Sequence, residues 1–179
     1  MKKIGVAICG CASIGKEVEK AISTTKDMEL VGIITRRDTK IVRTESDVPV
    51  ISVDEALSNS MWKCNIDVIT VCGGYEKNEV LRFASCYNVF DCFNAQGIEQ
   101  SYFKVVGETA RRNKKASVVS FGWDKGTSDE QTDVGLILTA YARATYLMSY
   151  DCQYGAKRVY EVDSAMLSSL TQEQQLMLI

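Results

Sequence analysis

The feature that most constrains this chain is its opening, where an apolar run, a glycine-bounded turn and a helical pattern follow one another without a gap. Lys3 to Cys9 is almost continuously apolar, as a strand buried on both faces of a parallel sheet requires. Gly10-Cys11-Ala12-Ser13-Ile14-Gly15 comes next. From Ile14 to Thr24 the apolar positions Ile14, Val18, Ala21 and Ile22 recur at helical spacing, which marks one covered helix face. Met1-Lys2-Lys3 before an apolar run has the look of a secretory leader. Gly5, Gly10 and Ser13 interrupt that run and Lys16-Glu17 end it, so a strand entering a turn is the expectation.

The same alternation continues. Strands are expected at Met28 to Thr35, Pro49 to Val53, Ile66 to Cys72, Val89 to Phe93 and Ala116 to Phe121. Between them lie helical patterns at Asp54 to Ser58, Glu76 to Tyr87 and Gln100 to Asn113. Strands that alternate with helices predict an α/β fold, a Rossmann-like, doubly wound and mainly parallel sheet. Beyond Gly126 the pattern changes to a long helix over Asp133 to Ser149, a strand over Lys157 to Val162 and a short helix after Thr171. The long helix shows Val134, Ile137, Leu138, Tyr141, Ala144, Thr145 and Met148 as its covered face. A single domain is expected, with residues 1–126 as its dinucleotide-binding part and 127–179 as a segment that completes it.

Composition removes whole classes of chemistry. The 179 residues contain no histidine, which excludes Ser-His-Asp and Cys-His catalysis and histidine metal sites. Lysine and arginine total 21 against 23 acids, a balance that argues against nucleic acid as a partner. No apolar window reaches the length of a membrane span. The seven cysteines are odd in number and include no Cys-x-x-Cys pair, so reduced, mostly buried thiols in a cytoplasmic protein are expected rather than a disulfide framework or metal site.

The first turn reads as a Gly-x-Ala-x-x-Gly form of the dinucleotide fingerprint. Gly10 permits the tight turn, Ala12 is the smallest departure from glycine at the pyrophosphate position, and Gly15 permits close helix–strand contact. Ser13 and Ile14 lie in the same turn, at the start of the helix. At the end of the second strand, where an NAD site carries an acid, stands Thr35-Arg36-Arg37. A hydroxyl followed by two guanidiniums suits a 2′-phosphate, so NADP is the expected cofactor. Cys72-Gly73-Gly74 closes a later strand on the cofactor side, and Asp91 and Gly122-Trp123-Asp124 follow at the ends of two more. That edge of a parallel sheet is where ligands bind. Asp91 and Asp124 are candidates to meet an amine, with Trp123 as a wall; a helix cap or solvated loop is the alternative reading of each acid.

Taken in order, VAICGCASIGKEVEK, DMELVGIITRRD, VPVISVDEA, IDVITVCGG, NVFDCFN and SVVSFGWDKG resemble the dinucleotide-binding half of meso-diaminopimelate dehydrogenase. The resemblance covers about residues 3–126. LTAYARATYLMSYDCQYGAKRVYEVDSAMLSS resembles the extreme C-terminal segment of that family, which returns to the dinucleotide domain after a long central substrate and dimerisation domain. Here Thr127 to Glu130 stand in place of that domain. The resemblance implies a nucleotide-binding oxidoreductase of lysine biosynthesis, with NADP-dependent oxidative deamination of meso-2,6-diaminopimelate as its reaction. It also implies cofactor roles for Gly10, Gly15, Thr35, Arg36 and Arg37, and substrate-facing roles for Asp91, Trp123 and Asp124.

The departures cluster at the reaction centre. A family aspartate is Asn94, a nearby histidine is Gln96, the proline of the Gly-Trp-Asp turn is Lys125, and a Ser-Ala-Thr loop reads Tyr75-Glu76-Lys77. The expectation is therefore a dehydrogenase-like chain that binds NADP(H) and, by itself, lacks efficient turnover of an amino-acid substrate. The alternative is a non-catalytic NADPH-binding module or truncated pseudoenzyme. A homo-oligomer, or another chain supplying the absent domain, is compatible with both.

Overall fold

Every residue of Ile4–Cys9 (β1) is buried, and the alternation of its side chains builds two cores. In the computed structural model, which describes residues 2–73, 76–92, 100–119 and 128–153, Val6 and Ile8 enter one core while Ala7 and Cys9 enter the other. A strand with both faces covered is possible because its neighbours run parallel and are joined by helices. β2 (Met28–Thr35), β3 (Val50–Ser52), β4 (Val68–Val71), β5 (Asn88–Asp91) and β6 (Ser117–Val119) complete a six-stranded sheet in the order β3-β2-β1-β4-β5-β6. All five strand pairs are parallel. The chain winds outward from β1 in one direction and then, from β4, in the other. The crevice between the carboxyl ends of β1 and β4 is thus the topological switch point.

One core holds Val53 and Ala56 of α2 (Val53–Ser58), Trp62 of α3 (Ser60–Asn65), Phe83 of α4 (Lys77–Cys86) and Val106 of α5 (Gln100–Arg112). Across the sheet lie Val18 and Ile22 of α1 (Ser13–Thr24), with Leu138, Tyr141 and Ala142 of α6 (Ser128–Gln153). The six strands expected to Phe121 are all present; β2 has its expected bounds and β5 begins one residue early, at Asn88, while the ends expected at Phe93 and at 120–121 lie outside the described residues. Helix α3 was not foreseen: Asn59 ends α2 and caps α3 by accepting from the Met61 amide, so a single residue separates the two. Ser52 caps α2, its Oγ accepting from the Glu55 amide at 3.1 Å.

Helix α6 lies against α1 and reaches β5 and β4, and the rotation of its covered face differs from the apolar pattern. Leu138, Tyr141 and Thr145 are buried as expected, but so are Thr139, Ala142 and Ser149, while Ile137, Ala144 and Met148 are only half-buried. The reason is close packing. A Cβ on Gly135 would lie 2.5 Å from the Glu17 carbonyl oxygen, so small residues face α1. Thr139 and Thr145 enter the interface because their hydroxyls donate to the carbonyls of Gly135 and Tyr141, both at 2.8 Å. Tyr141 stacks on Phe90 of β5 with ring centroids 5.1 Å apart. Arg143 Nη2 donates to Asp27 Oδ1 at 2.7 Å, tying α6 to the α1–β2 turn. The strand expected at 157–162 and the helix after Thr171 lie outside the described residues.

Candidate functional site

The switch point is built by glycines that let three backbone segments touch. Gly10 leaves β1 with φ +100, and a Cβ there would sit 2.8 Å from the Gly73 nitrogen and 2.9 Å from its Cα. A side chain is excluded both by conformation and by contact. A Cβ on Gly15 would lie 2.1 Å from the Gly10 carbonyl oxygen, so α1 begins hard against the turn. Its first intrahelical bond runs from the Lys16 amide to the Ala12 carbonyl at 3.0 Å, leaving the earlier amides without helical acceptors. Ala12 supplies no side-chain cap, and the first turn carries no acid. Ser13 is exposed, whereas the Ile14 side chain packs into the core, so its contribution to a ligand is its amide alone. This uncapped, positive helix end is of the kind that suits an anion.

At the end of β2, Thr35 is 4% exposed. Its Oγ1 accepts from the Arg37 amide at 3.1 Å, so it shapes the arginine turn from inside. Arg36 and Arg37 are exposed. Arg36 Nη1 lies 3.7 Å from Glu79 Oε2 at the start of α4, an ion pair that the sequence reading missed. Beside this turn the Cys11 thiol is pushed up by burial and by Glu19, against the opposing pull of Lys16 and Arg37.

Asp91 ends β5 and is 4% exposed. Tyr102 of α5 donates its hydroxyl to Asp91 Oδ2 at 3.1 Å. Burial, then the Asp91 charge, then this bond, raise the Tyr102 hydroxyl well above its ordinary value, so it stays protonated as a donor. Sequence alone did not single out Tyr102, because its role depends on α5 folding back over β5. Cys72 and Cys92 end neighbouring strands with sulfurs 3.6 Å apart. The bond from Cys92, and burial, push the Cys72 thiol up, so its expected role at the cofactor edge belongs to its backbone. Gly74, Trp123 and Asp124 lie outside the described residues, as do Tyr75, Asn94, Gln96 and Lys125.

The fold therefore brings Gly10, Ala12, Ser13, Ile14, Gly15, Cys72 and Gly73 to one crevice, with Thr35-Arg36-Arg37 at one end and Asp91 at the other. Glycine contacts that a Cβ would fill, an uncapped helix start and two arginines in place of an acid fit an anionic dinucleotide bearing an extra phosphate.

No family model matches the chain. The meso-diaminopimelate D-dehydrogenase of Ureibacillus thermosphaericus is 39% identical over 129 residues, 70% of this chain and 39% of the relative. An engineered D-amino acid dehydrogenase bound to NADP+ superposes with a TM-score of 0.58 at 29% identity, covering 70% of this chain and 38% of that one. A mutant meso-diaminopimelate dehydrogenase of Clostridium tetani with DAP gives 0.57 at 34% identity, with 69% and 38% covered. Over the 129 residues it shares with that first relative the chain is similar to the meso-diaminopimelate D-dehydrogenases, and it spans 39% of that relative's length.

Proposed function

We propose that this chain binds NADP(H) at the β1–β4 crevice and, by itself, does not turn over meso-diaminopimelate. The observation that carries the first half is the Gly10–Gly73–Gly15 contact set beneath the uncapped start of α1. The amides that open α1 hold the pyrophosphate, and Arg37, with Arg36 beside it, answers the 2′-phosphate. When bound, the cofactor supplies the hydride acceptor. Asp91, oriented by Tyr102, is one carboxylate to meet a substrate ammonium; Trp123 and Asp124 are assigned to the same pocket by resemblance. Six described cysteines are free thiols, which supports a reducing, cytoplasmic setting. No helix among the described residues is long and apolar enough to cross a membrane.

The second half rests on enclosure. Hydride transfer needs the reacting carbons held about 3–3.5 Å apart, and such positioning supplies roughly 7–11 kcal/mol. In the family a central domain closes over the substrate, whereas here β6 ends at Val119 and α6 begins at Ser128. The interval between them is residues 120–127. That interval, and the seating of α6 on α1, support reading residues 127–179 as completing the domain of residues 1–126. Asn94 and Gln96 also remove a charge and a titratable ring from the reaction centre.

Titration of the purified chain with NADPH and NADH, followed by a turnover assay with meso-diaminopimelate, tests both halves. A charge-assisted phosphate contact is worth about 1.5–3 kcal/mol, so NADPH is expected to bind about one to two orders of magnitude more tightly. Equal dissociation constants overturn the cofactor assignment. Substrate-dependent NADPH formation at the rate of an ordinary dehydrogenase overturns the second half and shows that the pocket closes without the central domain.

A further inference from the structure

The segment that leaves Arg37 does not run off into solvent but crosses back over α1. Residues 38–48 begin with a turn in which Asp38 accepts from the Lys40 amide at 3.0 Å, and Val42 within the strap is buried. Three contacts fasten it to α1 and the fingerprint loop. Cys11 Sγ donates to the Arg43 carbonyl at 3.6 Å. Lys16 Nζ lies 3.8 Å from Glu45 Oε1. The Ser46 amide donates to Glu19 Oε1. The last is the least exposed of the three: Glu19 is 1% exposed, and its second oxygen, Oε2, has no hydrogen-bond partner. A carboxyl in the middle of an apolar helix face is costly unless it is bonded, and the bond it makes is to the strap.

We propose that Glu19 is a positioning residue for dinucleotide selection: by fastening the 38–48 strap across the start of α1, it sets Arg43 beside the fingerprint loop as a further determinant of preference for the 2′-phosphate. The proposal rests on the cofactor reading above. Two of the strap's acids are already engaged, Asp38 in its own turn and Glu45 with Lys16. Arg43 is exposed and is the strap cation whose backbone touches the loop. Arg36 meanwhile shares its charge with Glu79, which leaves selection to lean on Arg37 and the strap.

The experiment measures dissociation constants for NADPH and NADH in the unmutated chain, Glu19→Ala, Glu19→Gln and Arg43→Ala. Glu19→Ala is expected to weaken NADPH by about threefold to fivefold, no more than the loss of Arg43 itself, while NADH stays within about twofold, because only NADPH carries the phosphate. Glu19→Gln keeps an oxygen acceptor for the Ser46 amide and should restore the preference. Arg43→Ala lies on the exposed strap, leaves the core intact and should weaken NADPH alone, by about fivefold. Parallel losses for both cofactors in Glu19→Ala would mean a general loss of structure and overturn the positioning role. An unchanged NADPH constant in Arg43→Ala overturns the selection role. If the unmutated chain binds neither dinucleotide, the cofactor reading itself fails and the proposal falls with it. If it binds NADPH but the variants behave like the parent, only the proposal fails.

Discussion

Replacing Gly135 with alanine pits two effects of opposite sign against each other, and the winner depends on whether α6 is seated on α1. In an isolated helix the change is favourable by about 0.8–1 kcal/mol, since alanine is the better helix former. In the folded chain the new Cβ would meet Glu17 at 2.5 Å from its carbonyl oxygen, 2.7 Å from its carbonyl carbon and 3.1 Å from its Cβ. An ordinary contact begins at 3.4 Å, so α6 must retreat by most of an ångström. The obstacle is largely backbone, which cannot rotate aside. Such a retreat loosens the contacts of Leu138 and Ala142, both 0% exposed, and disturbs the stacking of Tyr141 on Phe90. Overpacking of this kind costs about 1–3 kcal/mol, and the stacked pair accounts for about 0.5–1.5 kcal/mol beyond its buried area. The expected net effect is a destabilisation of about 1–3 kcal/mol. Urea denaturation followed by circular dichroism would show it as a lower midpoint with an unchanged slope. A midpoint that stays put or rises would refute the packing argument, because it would mean that helix propensity acts without opposition.

Two further outcomes follow from bonds that only the folded chain makes. Tyr102→Phe keeps the ring but removes the donor to buried Asp91, and should lower stability by about 1–3 kcal/mol in the same denaturation assay; an unchanged midpoint would show that the bond is dispensable. For Asp27, burial by itself would raise the carboxyl, but the bond and charge of Arg143 outweigh it and hold the group below its ordinary 3.8. A depressed carboxylate contributes stability above its unfolded value and loses it as pH falls through the folded one. Asp27→Asn should therefore cost up to about 1 kcal/mol at pH 7, a modest figure because the pair is partly exposed, and the difference should begin to shrink as pH approaches 3.8 and vanish only below the depressed folded value. A deficit that persists in acid would assign the effect to packing rather than charge.

The sequence by itself determined the order of elements and the place of the cofactor turn. Both are local: a buried parallel strand must be apolar throughout, a turn that brings backbone against backbone must carry Gly10, and a helix must repeat its apolar face. It also placed Thr35-Arg36-Arg37 at the end of β2, since strand length fixes where the chain emerges. Tertiary structure alone decided the rest. The buried face of α6 could not be read from its apolar residues, because the close approach of α1 at Gly135 selects small side chains, and threonines that bond their own helix take places that leucine or methionine would fill elsewhere. The partners of Arg36 and Asp91 come from helices dozens of residues away or just beyond a turn, and no local periodicity encodes Glu79 or Tyr102 as those partners. Glu19 looks in sequence like an ordinary solvated helix acid. The return of residues 38–48 across α1 brings the Ser46 amide to it, which turns a surface charge into the fastening of the strap.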